Sequence, residues 1–147
     1  MLFFTSKGKV YRQKVHQIPL GSRQAKGTPV VNLLPIEDDE KVATVINTRD
    51  FPADEYLLFA TAHGMVKKTA FDAYKNVRSN GLIAINLKDG DELISVKRVA
   101  KGEKVIMVSS AGKAILWDES EARAMGRGTM GVRGMNVPAD AHVLGME

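Results

Sequence analysis

An all-β fold built from a tandem repeat is what this sequence predicts, and three observations predict it. Apolar hairpins centred on a glycine recur at Gly8, Gly64 and Gly112, at intervals of 56 and 48 residues. A second glycine follows each, at Gly27, Gly81 and Gly131, after a basic turn and before a strand-like run. No long amphipathic helical pattern interrupts the 147 residues. Four short strands in a unit of about 50 residues is the signature of propeller-like blades.

The elements follow in order. The first hairpin reads Leu2-Phe3-Phe4-Thr5-Ser6-Lys7-Gly8-Lys9-Val10-Tyr11-Arg12, the second Leu58-Phe59-Ala60-Thr61-Ala62-His63-Gly64-Met65-Val66-Lys67-Lys68, the third Ile106-Met107-Val108-Ser109-Ser110-Ala111-Gly112-Lys113-Ala114-Ile115-Leu116. In each, apolar residues flank a small polar pair and a glycine able to take the positive φ of a tight turn. The third strands are expected after Arg23-Gln24-Ala25-Lys26-Gly27, Arg78-Ser79-Asn80-Gly81 and Arg127-Gly128-Thr129-Met130-Gly131. Fourth strands are expected over 41–48, 92–99 and 142–146. Residues 49–55 read as a polar connector, 100–103 as a tight turn and 119–125 as one helical turn or two. The chain thus reads as a single domain of three blade units, 1–49, 50–100 and 101–147.

Composition bounds the function. Hydrophobic residues at 44% and charged residues at 26% argue against a disordered tail, and no run approaches the roughly 18 apolar residues of a membrane span. The segment 1–7 is too short for a signal peptide. No cysteine is present, which excludes disulfides and thiolate metal sites and fits a cytoplasmic protein. The net charge of +4 is segregated. Residues 1–36 hold Lys7, Lys9, Arg12, Lys14, Arg23 and Lys26 and no acid, whereas acids cluster at 37–40, at Asp89, Asp91 and Glu92, and at Asp118, Glu119 and Glu121. A basic edge is expected.

No catalytic constellation emerges. His16, His63 and His142 lie in no ligand spacing, and Ser109-Ser110 is a turn pair without the glycines of a nucleophile elbow. The acidic run 37–40 lacks the alternation and glycine of a calcium loop. The glycine-rich stretch 126–134 offers no phosphate-loop lysine. Neither a metal nor a cofactor is expected.

Positive charge recurs instead. Arg12 matches Lys68 in the second strand of the hairpin, and Tyr11 matches Lys67; the third unit has Ile115 and Leu116 there. Arg23, Arg78 and Arg127 correspond before the third strand. Lys14, Lys26, Lys75, Arg123 and Arg133 lie on the connecting arcs, and Lys9 and Lys113 follow the hairpin glycines. On blades, equivalent residues fall at equivalent places on a rim. Cations repeated there neutralise phosphates along a bent duplex without reading bases. Few aromatics accompany them (Tyr11, Tyr74, Trp117), which favours a duplex backbone over stacked single-stranded bases.

These residues resemble a family. The stretches 2–12, 22–33, 58–68, 80–87 with Asp91-Glu92-Leu93-Ile94, and 125–135 together resemble the C-terminal domain of the DNA gyrase A subunit, and the likeness covers essentially the whole chain. The resemblance implies a β-pinwheel, a propeller-like ring whose blades exchange a strand with their neighbours, with duplex DNA wrapped on its basic outer edge. It implies a non-catalytic part of an ATP-dependent type IIA topoisomerase that introduces negative supercoils. The implied partners are duplex DNA, the gyrase B subunit, and the remainder of the gyrase A subunit, in a bacterial, nucleoid-associated setting. The catalytic tyrosine and the ATPase would lie outside this chain; Tyr11, Tyr56 and Tyr74 are assigned no role in strand cleavage. The family's box, Gln-(Arg or Lys)-Arg-Gly-Gly-Lys-Gly, is matched by 21–27 only at Arg23, Lys26 and Gly27, and by 125–131 only at Arg127, Gly128 and Gly131. The full box is absent, so duplex binding is expected of this chain alone, and wrapping by it stays open. The equivalent domain of topoisomerase IV and a propeller-type protein-interaction module stay open as alternatives. A propeller enzyme is argued against by the missing catalytic cluster. Exposed blade edges would further allow two copies to associate.

Overall fold

Each hairpin forms where the glycine spacing places it, in a computed structural model that describes residues 1–78 and 80–147. The first unit contributes β1 (Leu2–Thr5), β2 (Lys9–Arg12) and β3 (Val42–Ile46). The second contributes β4 (Tyr56–Thr61), β5 (Met65–Ala70), β6 (Leu82–Ile83) and β7 (Leu93–Val99). The third contributes β8 (Lys104–Ser109), β9 (Ala114–Asp118), β10 (Val132–Arg133) and β11 (Val143–Met146). Gly8, Gly64 and Gly112 all take φ between 76° and 91°, the left-handed conformation the turns require.

The sheets do not coincide with the units. Their orders are β3-β1-β2-β6, β10-β5-β4-β7 and β11-β8-β9. The third strand of the second unit therefore completes the first blade, with Leu82 opposite Val10 and Ile83 opposite Lys9. That of the third unit completes the second blade, with Val132 opposite Val66 and Arg133 opposite Met65. Each crossing is pinned at the hairpin glycine. The carbonyl of Gly8 accepts from the N–H groups of Ala84 (2.8 Å) and Ile85 (3.2 Å), and that of Gly64 from Gly134 (2.8 Å) and Met135 (3.1 Å). This is the strand exchange between blades that the resemblance implies.

One expectation is corrected. The run 30–33 of the first unit is not a strand: Val30–Asn32 forms a 3-10 turn. Its counterparts become strands only by pairing with the second strand of a preceding blade, and the β2 edge is already taken by β6. Among the described residues the third sheet has three strands, with β9 at its edge. The segment 119–125 holds a single 3-10 turn, Glu119–Glu121, with the Asp118 side chain accepting from the Ser120 N–H at 3.0 Å.

The middle blade carries the packing. Side chains alternate across a strand, so β4 feeds two cores at once. Leu57 and Phe59 join Leu2, Phe4, Val10, Phe71 and Tyr74 between the first and second blades. Leu58 and Ala60 join Val66, Val105, Met107 and Val143 between the second and third. Phe4, Phe59 and Tyr74 meet edge-on or tilted with ring centroids 5.5–5.8 Å apart. The fourth strands β3, β7 and β11 neighbour one another, which makes them the inner side of the assembly. The edges formed by β2 with β6, β5 with β10, and β9 are its rim.

Candidate nucleic-acid interface

The first rim joint gathers surface cations from two units, and the second gathers them from the third unit alone. At the first joint, Arg12 ends β2, and its Nη1 donates to the Lys75 carbonyl at 3.3 Å while the guanidinium sits 5.8 Å from the Phe51 ring. Arg78 follows on the same arc, and its carbonyl accepts from the Gly81 N–H at 3.0 Å, closing the turn before β6. Arg12, Lys75 and Arg78 are thus brought together, and Arg12 and Lys75 are exposed. At the second joint, Met125 N–H donates to the Lys68 carbonyl at 2.7 Å, and Lys67 reaches the Arg127 carbonyl at 2.6 Å. This holds the exposed Arg123 and Arg127 beside β5. Asn86, which no sequence pattern singles out, ties the two joints: its N–H donates to the Thr129 carbonyl at 3.1 Å and its side chain to Gly128.

Lys67 and Lys68 do not belong to this surface. Lys67 is 1% exposed and Lys68 7%. The Lys67 ammonium donates to the carbonyls of Ala84 and Arg127 and lies 4.8 Å from the Phe59 ring centroid. Burial, with the nearby Arg127 charge second, lowers its pKa to about 7. Lys68 pairs with Glu119 at 2.7 Å and donates to the Glu119 carbonyl at 3.1 Å. The hydrogen bond from Lys68, with that from the Gly102 N–H, holds the Glu119 carboxyl below the usual carboxylate range. Both lysines are internal ties. The match of Arg12 to Lys68 holds in register but not in exposure, because a further turn, Glu119–Glu121, lies over Lys68.

The remaining cations divide by position. Lys9 (half-buried), Lys113 and Arg133 sit at the hairpin-turn end of the rim strands, about 10 Å along the strand from Arg12. Arg23 and Lys26 are exposed on the arc before the Val30–Asn32 turn, and Lys14 is exposed beyond β2. Neither these six nor Arg12, Lys75, Arg78, Arg123 and Arg127 make an ion pair among the described residues, whereas Lys7, Lys97, Arg98 and Lys104 each pair with a carboxylate. Unpaired cations at the surface are free to meet phosphate. Lys101, read only as part of a turn, lines a cleft with Arg123 that Asp54, Glu55 and Glu119 line as well. Its sequence context, Ala100-Lys101-Gly102-Glu103, carries no signal of that neighbourhood.

The chain matches the family described as "DNA gyrase C-terminal domain, beta-propeller" over residues 1–49, 55–100 and 103–147. It is 47% identical over 135 residues to the DNA gyrase A subunit of Clostridium acetobutylicum, covering 91% of this chain and 16% of that protein. It is 42% identical over 137 residues to the same subunit of Escherichia coli, covering 93% and 16%. The chain thus spans about a sixth of the relatives it matches. Among solved structures, the C-terminal domain of a DNA topoisomerase IV superposes with a TM-score of 0.89 at 34% identity, covering 99% of this chain and 46% of that one. A DNA gyrase A C-terminal domain superposes at 0.79 with 30% identity and the same coverage. Three blade units, strands exchanged at glycine-pinned joints and a matching family span lead to one conclusion: the chain belongs to the DNA gyrase C-terminal domain, β-propeller, family.

Proposed function

We propose that this chain binds duplex DNA along its rim through sequence-independent phosphate contacts, as part of the DNA-wrapping domain of a gyrase A subunit. The observation that carries the reading is the row of unpaired surface cations at the rim joints: Arg12, Lys75 and Arg78 at one, Arg123 and Arg127 at the next. A groove-reading side chain is not needed for such a track. The domain does no chemistry itself. Its contribution would be to hold DNA for the ATP-dependent strand passage performed by the gyrase B subunit with the remainder of the gyrase A subunit, in the bacterial cytoplasm.

Duplex binding is tested by affinity against salt. The log–log slope is expected at roughly −0.9 per phosphate neutralised, equal for unrelated sequences. A flat response, or no binding at low salt, would remove the reading. Topoisomerase IV is the second reading, favoured by the 0.89 superposition. Ligating nicked circular DNA in the presence of the chain separates binding from wrapping, since only wrapping changes the linking number.

A further inference from the structure

The arc that presents Arg127 is tied to the second unit at four points. The Met125 N–H donates to the Lys68 carbonyl at 2.7 Å, the Asn86 N–H to the Thr129 carbonyl at 3.1 Å, and the Asn86 side chain to the Gly128 carbonyl. These three donors are amides and cannot change charge. The fourth tie runs from the Lys67 amine to the Arg127 carbonyl, and it can. The hairpin position of Lys67 holds Tyr11 in the first unit and Ile115 in the third, so the repeat itself does not require an amine there.

Both charge states of that amine fit the site. The neutral form has two N–H groups for the Ala84 and Arg127 carbonyls. The ammonium keeps both bonds and has the Phe59 ring, its centroid 4.8 Å away on β4, as a further partner. No carboxylate pairs with Lys67 among the described residues. Lys68, next on β5, turns to the other face of the strand and pairs with Glu119. Tyr74 shares the Ala84 carbonyl, and burial raises its pKa, so its hydroxyl stays protonated. The charge that acts on the amine is the exposed Arg127 guanidinium, whose repulsion adds to burial in disfavouring the ammonium. A phosphate seated on Arg127 cancels that repulsion and adds an attraction of its own.

We infer that Lys67 is a positioning residue of the rim whose protonation is linked to duplex binding: a DNA phosphate on Arg127 draws a proton from solvent onto the buried amine, and the ammonium then holds the Arg127 carbonyl by a charge-assisted bond. This rests on the duplex binding proposed above. The linkage is reciprocal. Below about pH 7 the amine is charged with or without DNA, and affinity sits on its upper plateau. Where the amine is neutral in both states, affinity sits on its lower plateau. Between the two, binding takes up protons and affinity falls as pH rises, by about threefold to tenfold in all.

Isothermal titration of a duplex at about pH 7.5, repeated in buffers of different ionisation enthalpy, counts the protons. Wild type and Arg12→Ala, whose lost contact lies at the other joint, should take up more than Lys67→Met, and Arg127→Ala should not. Arg127 is exposed, so its variant keeps the test open should Lys67→Met fail to fold. A second readout needs no DNA. The Lys67 side-chain carbon resonance should titrate near pH 7, and its midpoint should rise in Arg127→Ala. A midpoint at the ordinary 10.5, a midpoint unmoved by Arg127→Ala, or duplex binding with no uptake beyond that of Arg127→Ala would each overturn the linkage and leave the phosphate track standing. Absence of duplex binding at low salt would overturn both.

Discussion

The Lys67 side-chain nitrogen lies 2.6 Å from the carbonyl oxygen of Arg127, 60 residues away in sequence. It also donates to the Ala84 carbonyl, which accepts from the Tyr74 hydroxyl at 3.0 Å. One amine therefore holds together the arcs that precede β10 and follow β6, and it does so inside the protein. A neutral amine retains two N–H donors for these two carbonyls, which is why the site accommodates the deprotonated form.

The pH dependence of stability follows from that burial. The folded pKa is lowered from 10.5 to about 7. Below pH 7 the group is charged in folded and unfolded chains alike, and its contribution does not vary. Between about pH 7 and 10.5 the unfolded chain binds the extra proton, so stability rises with pH by up to about 1.4 kcal/mol per unit. Urea unfolding at pH 7 and 9.5 should show wild type gaining on Lys67→Met over this interval. A constant difference between the two would show that Lys67 titrates normally. At pH 7 the variant should lose about 1–3 kcal/mol through the unpaired carbonyls.

Lys68 and Glu119 form a second internal tie, with both side chains less than 10% exposed. Removing one partner strands a buried charge, so Lys68→Met should cost about 3 kcal/mol, while Lys68→Met with Glu119→Leu should recover most of it. The carboxylate's share is present above its unfolded pKa and is lost as pH falls through its depressed folded value. A double-mutant cycle in urea at pH 7 measures the coupling. Additive losses would mean that the pair contributes nothing.

The repeat was legible because its glycines are geometric necessities: the same left-handed turn at Gly8, Gly64 and Gly112 forces the same residue. Which blade a third strand joins was not legible from periodicity, since Leu82–Ile83 offers the same pattern to either neighbour; the expectation of exchange came from the family resemblance. Nor could periodicity separate Arg12 from Lys67 and Lys68. Exposure at the second joint is decided by the Glu119–Glu121 turn and by Arg127, both distant in sequence. For the same reason 30–33 read as a strand although no edge in this chain receives it.

The surface cations should act independently of the Lys68–Glu119 pair. Arg12→Ala, Arg78→Ala and Arg127→Ala should each weaken duplex binding about equally for all sequences and flatten the salt slope by about 0.9. Lys68→Met, where it remains folded, should leave the slope unchanged. Fluorescence anisotropy over a salt series decides this; sequence-dependent losses would point to base contacts instead.

Glycines with one conformation but different surroundings separate backbone strain from seating. Gly64 and Gly112 take φ +91° and +76° at equivalent turns. A Cβ on Gly64 would overlap the Met135 carbonyl oxygen, a clash with backbone that no side-chain motion relieves, while one on Gly112 meets open space. Gly112→Ala should therefore cost only the left-handed penalty, about 1–2 kcal/mol. Gly64→Ala should add the loss of the joint, since seating the methyl displaces the crossing that donates from Gly134 and Met135. Amide exchange should then rise at Val132–Arg133 in Gly64→Ala and stay at the wild-type level there in Gly112→Ala. Equal destabilisation, with no added exchange at β10, would mean that the glycine serves the turn alone and that the exchanged strand is held from elsewhere.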